Sequence, residues 1–224
     1  MLNLPTEYAM MDEGLLAEKI IKQKNKMGNR MVILAHHYQN PEIIKLADIT
    51  GDSFELAKKG SLLKDVEKII FCGVYFMAEA ARVLAGKEQT VYIPNKEAGC
   101  PLADFAPLND VQSAWKELSQ LTDITKVTPA CYMNSSAAIK AFCGEHGGIV
   151  CTSSNAQKIF RWAFERGEKL FFFPDEHLGR NTSRAMGIND IIVWVPSQIL
   201  GGNSPQAIQK AQVILWKGYC HVQH

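Results

Sequence analysis

Short runs of apolar residues alternate along this chain with amphipathic stretches that begin at polar residues. The first amphipathic stretch, residues 12–28, carries leucine and isoleucine on one face and lysine on the other, which predicts a helix ending at Gly28. Residues 31–35 are apolar without interruption, as expected of a strand that is buried on both faces. This strand leads into the polar sequence His-His-Tyr-Gln-Asn at residues 36–40, and a short helix is expected to follow.

The same alternation continues to the end of the chain. The further predicted strands are residues 68–73, 90–93, 126–131, 148–151, 169–173, 191–195 and 213–216. The further predicted helices are residues 54–59, 76–84, 109–118, 135–142, 152–166, 178–186 and 205–211. Strands that alternate regularly with helices predict a parallel α/β architecture with right-handed crossovers.

The segment 94–104 follows the predicted strand 90–93 and is expected to be neither strand nor helix, because two prolines and a glycine interrupt it. It holds Cys100 between that glycine and a proline. Loops at strand ends are where α/β proteins keep their chemistry, but free cysteine is more commonly a small hydrophobic core residue, so both interpretations stay open. The segment divides the chain into two predicted α/β units, residues 1–97 and 98–224.

Two strand ends show a weak internal echo. One strand leads into Tyr38-x-Asn40 and another into Tyr132-x-Asn134, each before a capped helix, which predicts two related units unless the match is due to chance. The last strand, residues 213–216, looks like a core strand, but only eight residues follow it. Because no later helix can cover that strand, the second unit is expected to be incomplete at its C-terminus.

Composition narrows the class of protein without identifying it. The 224 residues are 47% hydrophobic and 21% charged, which is ordinary for a soluble globular protein. A net charge of +1 gives no argument for nucleic acid or membrane as a partner, and no apolar run is long enough to span a bilayer. Residues 1–7 lack the features of a signal peptide, so a cytoplasmic protein is expected. The six cysteines form no Cys-x-x-Cys and are expected to be buried, reactive or metal-bound.

Polar residues collect where the predicted strands end, and parallel α/β proteins bind ligands at that edge. Three helices are expected to start there, at residues 53, 134–135 and 153–154. Helix N-termini with hydroxyl caps attract carboxylates and phosphates, although serine and asparagine are also ordinary caps. The chain has no glycine-rich phosphate loop, and the spacing of Cys100 from the histidines at 36–37 does not favour a zinc site.

Six motifs, in this order, closely resemble those of the quinolinate synthase family. They are Leu34-Ala35-His36-His37-Tyr38-Gln39, Gly51-Asp52-Ser53, Gly73-Val74-Tyr75-Phe76-Met77-Ala78-Glu79, Lys96-Glu97-Ala98-Gly99-Cys100, Tyr132-Met133-Asn134-Ser135 and Cys151-Thr152-Ser153-Ser154-Asn155-Ala156. The closing segment 216–222 also resembles that family. The resemblance runs from about residue 30 to the C-terminus.

The resemblance implies an enzyme of three repeated three-layer α/β/α units with small parallel sheets, of which this chain would supply two. It implies condensation of iminoaspartate with dihydroxyacetone phosphate to quinolinate, in the biosynthesis of NAD. It also implies an oxygen-sensitive four-iron four-sulfur (4Fe-4S) cluster with three cysteine ligands and one open iron that acts as a Lewis acid. A functional contact with L-aspartate oxidase, which produces iminoaspartate, is a further implication.

The motifs also imply roles for single residues in the first unit. His36 and Ser53 match residues that hold the carboxylates of iminoaspartate. Tyr38 matches a tyrosine proposed to transfer protons in the later steps, and His36 is expected to assist it by making its proton easier to remove. Met77 matches a residue that lines the pocket.

In the second unit, Cys100 matches the first ligand of the cluster. Tyr132, Met133 and Asn134 match a strand end that contacts iminoaspartate. Ser153 matches a helix start that binds an anionic group.

The chain departs from the family pattern in one respect. The second cluster cysteine is expected after a His-Pro-Glu motif and the third near the C-terminus, both beyond residue 224, so Cys100 is the only ligand expected here. The third unit would then be missing, and catalysis by these 224 residues alone is in doubt. Two alternatives stay open: a non-catalytic α/β domain that binds a dicarboxylate or a partner protein, and a zinc- or redox-sensing protein that uses Cys100.

Overall fold

The computed structural model describes residues 5–220 and has the predicted α/β architecture, with helices packed on two small parallel sheets. The chain divides into two compact units, which we call unit 1 (residues 1–99) and unit 2 (residues 100–224). Between residues 5 and 220, no helix is long and apolar enough to cross a membrane.

Unit 1 contains a four-stranded sheet in the order β2-β1-β3-β4, with all strands parallel. Its elements are α1 (Thr6–Ala9), α2 (Glu13–Met27), a 3-10 turn (Gly28–Arg30), β1 (Met31–His36), α3 (Pro41–Leu46), β2 (Ile49–Gly51), α4 (Ser53–Leu62), β3 (Lys68–Cys72), α5 (Tyr75–Leu84) and β4 (Thr90–Tyr92). Strand β2 was not predicted, because three residues that include threonine and glycine are too short a run to stand out as apolar.

Helix α2 has the predicted bounds to within a residue. Asp12 caps it by accepting the backbone N–H of Leu15 at 2.9 Å, and Gly28 ends it at a positive φ of 55°. No residue of α2 is buried, and Leu15 is 49% exposed. The amphipathic pattern therefore predicted the helix correctly, but within unit 1 its apolar face is only partly covered.

Unit 2 contains a five-stranded sheet in the order β6-β5-β7-β9-β8, again with all strands parallel. Its helices are α6 (Pro101–Asp104), α7 (Leu108–Leu121), α8 (Ala137–Glu145), α9 (Ala156–Phe164), α10 (Glu176–Ala185) and α11 (Pro205–Lys210). Its strands are β5 (Val127–Tyr132), β6 (Ile149–Cys151), β7 (Lys169–Phe173), β8 (Ile191–Trp194) and β9 (Val213–Trp216), and 3-10 turns cover Ile124–Lys126, Ser153–Asn155 and Ile199–Gly202.

Two expectations about helix starts in unit 2 are wrong. The segment 94–104 is not free of helix, because α6 begins at Pro101, whose fixed φ suits a first helical position. Helix α7 was predicted from residue 109, with the polar residues 109–110 as its cap, but Pro107 is its N-cap and the helix begins at Leu108. In both places a proline stands at or directly before the first helical residue, where the sequence pattern pointed to a loop or to a polar cap.

Strand β9 corrects the expectation that the last strand is left uncovered. It lies inside the sheet between β7 and β8, and all four of its residues are fully buried. Helix α10 packs on one face, where Gly179 lies against Leu215. On the other face Trp216 belongs to the same core cluster as Ile208 of α11 and Val111 of α7. Helices that precede β9 in the sequence therefore cover both faces of this strand.

The first three strands of each sheet have the same order, β2-β1-β3 and β6-β5-β7, but the Tyr-x-Asn echo does not mark equivalent positions. His36 ends β1 opposite Gly51 of β2, and Tyr132 ends β5 opposite Cys151 of β6. The following residue donates its backbone N–H to that opposite residue in each unit. Tyr132 is thus equivalent to His36 and not to Tyr38, so the repeat is one of topology.

Gly179 permits the close approach of α10 to the sheet. A Cβ at this position would lie 2.4 Å from Leu215 Cδ2 and 2.7 Å from Phe172 Cδ1. We expect Gly179→Ala to destabilise the protein by about 1–3 kcal/mol, because this overlap outweighs the helix propensity that alanine gains. Gly144→Ala is the matched control: nothing lies within 4 Å of its Cβ position, so a stabilisation of about 0.5–1 kcal/mol is expected. Urea unfolding of both variants measures this difference, and equal stabilities would contradict it.

Candidate functional site

His36 ends β1 at the carboxyl edge of the unit 1 sheet and is only 7% exposed. The backbone N–H of Tyr38 points at its Nδ1 at 3.4 Å. An imidazole nitrogen accepts a hydrogen bond only when it carries no proton, so neutral His36 carries its proton on Nε2. Burial lowers the pKa of His36, the charge of His37 lowers it further, and Asp52 opposes both. At neutral pH this ring is therefore a neutral donor through Nε2–H.

Tyr38 stands two residues beyond the strand end and is 79% exposed. Its ring lies 5.0 Å from that of His36 and 4.3 Å from that of His37, in tilted and edge-on arrangements. A phenol in this position is open to a small ligand and has imidazoles on one side. Its role in proton transfer stays a prediction.

Ser53 is the first residue of α4 and the second residue after β2. The sequence offered Asp52 and Ser53 as alternative caps for this helix, and in the structure the cap is Asp52, which accepts the backbone N–H of Glu55 at 2.8 Å. Within residues 5–220 the Ser53 hydroxyl has no hydrogen-bond partner. It is therefore available to a ligand at the start of the helix, where the helix dipole favours an anion.

Met77 lies on α5 and is 7% exposed. Its sulfur is 3.0 Å from the position that a Cβ on Gly73 would take. The side chain is thus packed inside unit 1 close to the end of β3. Its role in lining a substrate pocket stays a prediction.

In unit 2, the segment after β5 makes a tight turn. Tyr132 and Met133 are buried, and the hydroxyl and N–H of Ser135 bond to their two carbonyls at 2.7 and 2.9 Å. Ser136, and not Asn134 or Ser135, caps α8 by accepting the N–H of Ile139. Asn134 is half-buried, and among the described residues its amide has no hydrogen-bond partner. The amide is consequently free to meet a ligand at the carboxyl edge of this sheet.

Ser153 occupies the position in unit 2 that Ser53 occupies in unit 1. Each serine is the second residue after its strand, β6 or β2, and the first residue of the following helical turn. The residue before it provides the cap: Thr152 and Asn155 form a capping box in which the Thr152 N–H donates to Asn155 Oδ1 at 2.8 Å. Ser153 was expected to be a cap itself and is instead exposed, with no partner for its hydroxyl between residues 5 and 220.

A groove of about 570 Å³ begins at Ser153 and continues between α9 and α10. Its charged lining residues are Lys158 and Arg161, both cations, and serine, asparagine, glutamine and threonine side chains make up most of the rest. A groove with this lining favours anionic small molecules. It extends the exposed surface around Ser153.

Cys100 is the residue directly before α6 and is half-buried. Burial raises the pKa of its thiol, and Cys220 and Asp104 raise it further. The backbone N–H groups of Ala103 and Leu102 at the start of α6 oppose this effect, and the Ala103 N–H itself bonds to the Cys100 carbonyl oxygen at 2.9 Å. Because the pKa of Cys100 is raised overall, its sulfur is a thiol at neutral pH, and its role as a metal ligand stays a prediction.

Cys220 is the thiol that sequence reasoning did not count among the ligands. Its charge acts on Cys100, although the two residues are far apart in the sequence. Phe105 brings the segments together, because its carbonyl accepts the Trp216 indole N–H at 2.7 Å and its ring lies 5.2 Å from that of Tyr219. The closing motif that starts at Trp216 was the signal available in the sequence, and it contains this cysteine.

The remaining cysteines have different surroundings. Cys131, Cys143 and Cys151 are buried near one another, and burial raises the pKa of Cys143 and Cys151. Cys72 is half-buried at the end of β3, with its pKa also raised by burial. Thiols of this kind are unreactive core residues. In the described part of the chain, no three His, Cys, Asp or Glu side chains form a group that could hold a metal ion.

A family model and individual known proteins both match this chain, and they indicate the same family. The family described as "Quinolinate synthetase A protein" matches residues 18–224. Proteins named quinolinate synthase from Corynebacterium glutamicum, Rhodopirellula baltica and Geobacillus kaustophilus are 48%, 44% and 46% identical, over 98%, 96% and 98% of this chain. The match covers 56%, 58% and 60% of those relatives, so the chain spans less than two thirds of their length. The chain belongs to the quinolinate synthetase A protein family.

Proposed function

We propose that this chain provides two α/β units of a quinolinate synthase, which condenses iminoaspartate with dihydroxyacetone phosphate to quinolinate and releases phosphate and water. One observation carries the proposal beyond family membership. In both units an uncommitted serine, Ser53 or Ser153, starts a helical turn at the carboxyl edge of the sheet, where a cap beside it already satisfies the backbone. Both substrates are anions, and such positions bind anions.

In unit 1, neutral His36 would donate its Nε2–H to a carboxylate of iminoaspartate, and Ser53 would donate its hydroxyl. Hydrogen bonds to a charged acceptor are the strong ones, so two donors fix the orientation of the substrate as well as its affinity. Tyr38 stands beside them, exposed, as the group that takes up and returns protons after the carbon–carbon bond forms. Met77 would supply an apolar wall.

In unit 2, the Asn134 amide and the Ser153 hydroxyl would contact the substrates, with Tyr132 and Met133 setting the position of the Asn134 backbone. The cations of the α9–α10 groove, Lys158 and Arg161, would raise the local concentration of both anionic substrates. These groups bind and orient, and none of them needs to be a nucleophile.

Cys100 and Cys220 would be two ligands of the iron–sulfur cluster, because they are neighbouring half-buried thiols. A third thiolate would have to come from outside residues 5–220. When bound, the cluster supplies a Lewis acid at the iron that has no protein ligand. A cytoplasmic location and delivery of iminoaspartate by L-aspartate oxidase complete the proposal.

Substitution of Ser53 and Ser153 tests whether these residues bind the anionic substrates. In a protein that continues this chain to the length of its relatives, Ser53→Ala and Ser153→Ala are each expected to weaken substrate use by roughly tenfold to a hundredfold, the effect of one hydrogen bond to a charged group. Ser154→Ala is the matched control, since its hydroxyl already bonds to Thr152 Oγ1 at 2.9 Å. Anaerobic formation of quinolinate from the two substrates is the measurement.

Two results would count against the proposal. If the folded wild-type protein with its cluster forms no quinolinate, a non-catalytic domain that binds dicarboxylates replaces it. If quinolinate forms but all three serine variants behave alike, the helix starts are not the anion-binding positions.

A further inference from the structure

His37 has no role in the reaction proposed above, yet it forms the centre of three aromatic rings at the end of β1. Its ring is stacked on that of His36, with centroids 4.4 Å apart and planes inclined by 24°. Its other contact is the ring of Tyr38, edge-on at 4.3 Å. The His37 side chain therefore contacts both His36, the proposed hydrogen-bond donor, and Tyr38, the proposed proton-transfer group.

His37 is also anchored to the neighbouring strand. Its Nδ1 lies 3.0 Å from the carbonyl oxygen of Gly51, and its backbone N–H bonds to the same oxygen at 3.2 Å. Gly51 is the last residue of β2 and pairs with His36 in the sheet. The exposed ring of His37 is thus held to β2 by the sheet edge, and this fixes the surface on which the His36 ring rests.

The state of His36 depends on this arrangement. Its Nδ1 accepts the N–H of Tyr38 only while that nitrogen is unprotonated. A proton on His37 repels a second proton on the stacked ring, and burial acts in the same direction. The other charged groups on the adjoining start of α4 are Asp52, which opposes the effect, and Glu55, which is paired with Lys59 at 2.7 Å.

We propose that His37 is a positioning residue, which holds His36 neutral with its proton on Nε2 and fixes the orientation of the Tyr38 ring by joining both to β2. The catalytic consequence rests on the function proposed above: a neutral His36 donates one directed hydrogen bond to a carboxylate without competing for the proton that Tyr38 must move. The positioning itself is a property of the 224-residue chain.

Two substitutions separate the features of His37. His37→Phe keeps a ring that covers His36 but removes the charge and the bond to Gly51. His37→Asn keeps an N–H donor for the Gly51 carbonyl but removes the ring and the charge. Histidine proton and nitrogen signals of the isotope-labelled chain are followed from low to high pH, with His36→Gln assigning the His36 signals and the backbone spectrum checking the fold.

In the wild-type chain His36 is expected to titrate below the ordinary range of histidine. Its pKa is expected to rise in His37→Phe because the charge is lost, and to rise at least as far in His37→Asn because the cover is lost as well. A rise in either variant supports the proposal, and His36 titrating at the wild-type pH in both overturns it. The readout is His36 and not turnover, so this result is independent of whether the extended protein forms quinolinate.

Discussion

Replacing Cys100 by serine is expected to remove the iron–sulfur cluster from a protein that continues this chain to the length of its relatives. After anaerobic reconstitution with iron and sulfide, bound iron should fall by about tenfold or more, because a cubane cluster with a missing thiolate loses iron to water and oxygen. Cys100 is half-buried where α6 begins, and a serine oxygen there would be a poor ligand for iron.

The same experiment tests Cys220. Its charge acts on Cys100, and Phe105 holds the two segments together, so Cys220→Ser should lower bound iron by a similar factor. Cys72→Ser is the control, since Cys72 is an equally half-buried thiol at the end of β3 in unit 1. Iron content and the visible absorption of the cluster are measured for all three variants. If Cys100→Ser binds as much iron as the wild-type protein, Cys100 is not a cluster ligand. If only Cys220→Ser binds as much iron as the wild-type protein, Cys220 lies near the cluster without binding it.

The sequence predicted the long apolar strands well. Residues 31–35 and 170–173 are continuous apolar runs and form most of β1 and β7, two of the strands that lie inside the sheets. Strand β2 escaped prediction because its three residues carry almost no apolar signal, and its place beside β1 is fixed by pairing across the sheet. A strand that is buried on both faces can be predicted from its continuous apolar sequence. A short edge strand cannot, because its formation depends on pairing with the neighbouring strand.

Helix starts were less predictable than helices. Ser53, Asn134 and Ser153 were expected to act as caps or near them, but Asp52, Ser136 and Thr152 with Asn155 fill those roles. A cap is decided by which side chain reaches the N2 or N3 backbone N–H, and neighbouring polar residues compete for that position. The displaced residues keep free polar groups, which is why they are good candidates for ligand binding.

The sequence pattern did not predict that Cys100 and Cys220 lie close together. The family motifs pointed to Cys100 alone. The segments of the two thiols meet through a hydrogen bond from the indole of Trp216 to the carbonyl of Phe105 and through the Phe105–Tyr219 ring contact. Contacts between segments that are distant in the sequence result from tertiary packing. The hydrophobic periodicity of a single helix or strand does not predict them.

Tyr38→Phe in the extended protein is expected to slow turnover by roughly a hundredfold or more, the usual effect of losing a proton-transfer group. The fold and the cluster should be unaffected, because Tyr38 is 79% exposed and phenylalanine keeps its ring contact with His37. Substrate binding should also persist, since His36 and Ser53 remain. The loss should therefore appear in kcat and not in KM.

The alternative for Tyr38 is that its ring only covers the histidines, a common role for tyrosine at a strand end. Phenylalanine would fulfil that role, so turnover near the wild-type value would leave Tyr38 as a wall of the site. Tyr8→Phe is the matched control: Tyr8 lies on α1 with its ring 5.5 Å from the ammonium of Lys19, and losing its hydroxyl should not change turnover. A hundredfold loss in Tyr38→Phe beside an unchanged Tyr8→Phe would assign the effect to a single oxygen atom, the hydroxyl of Tyr38.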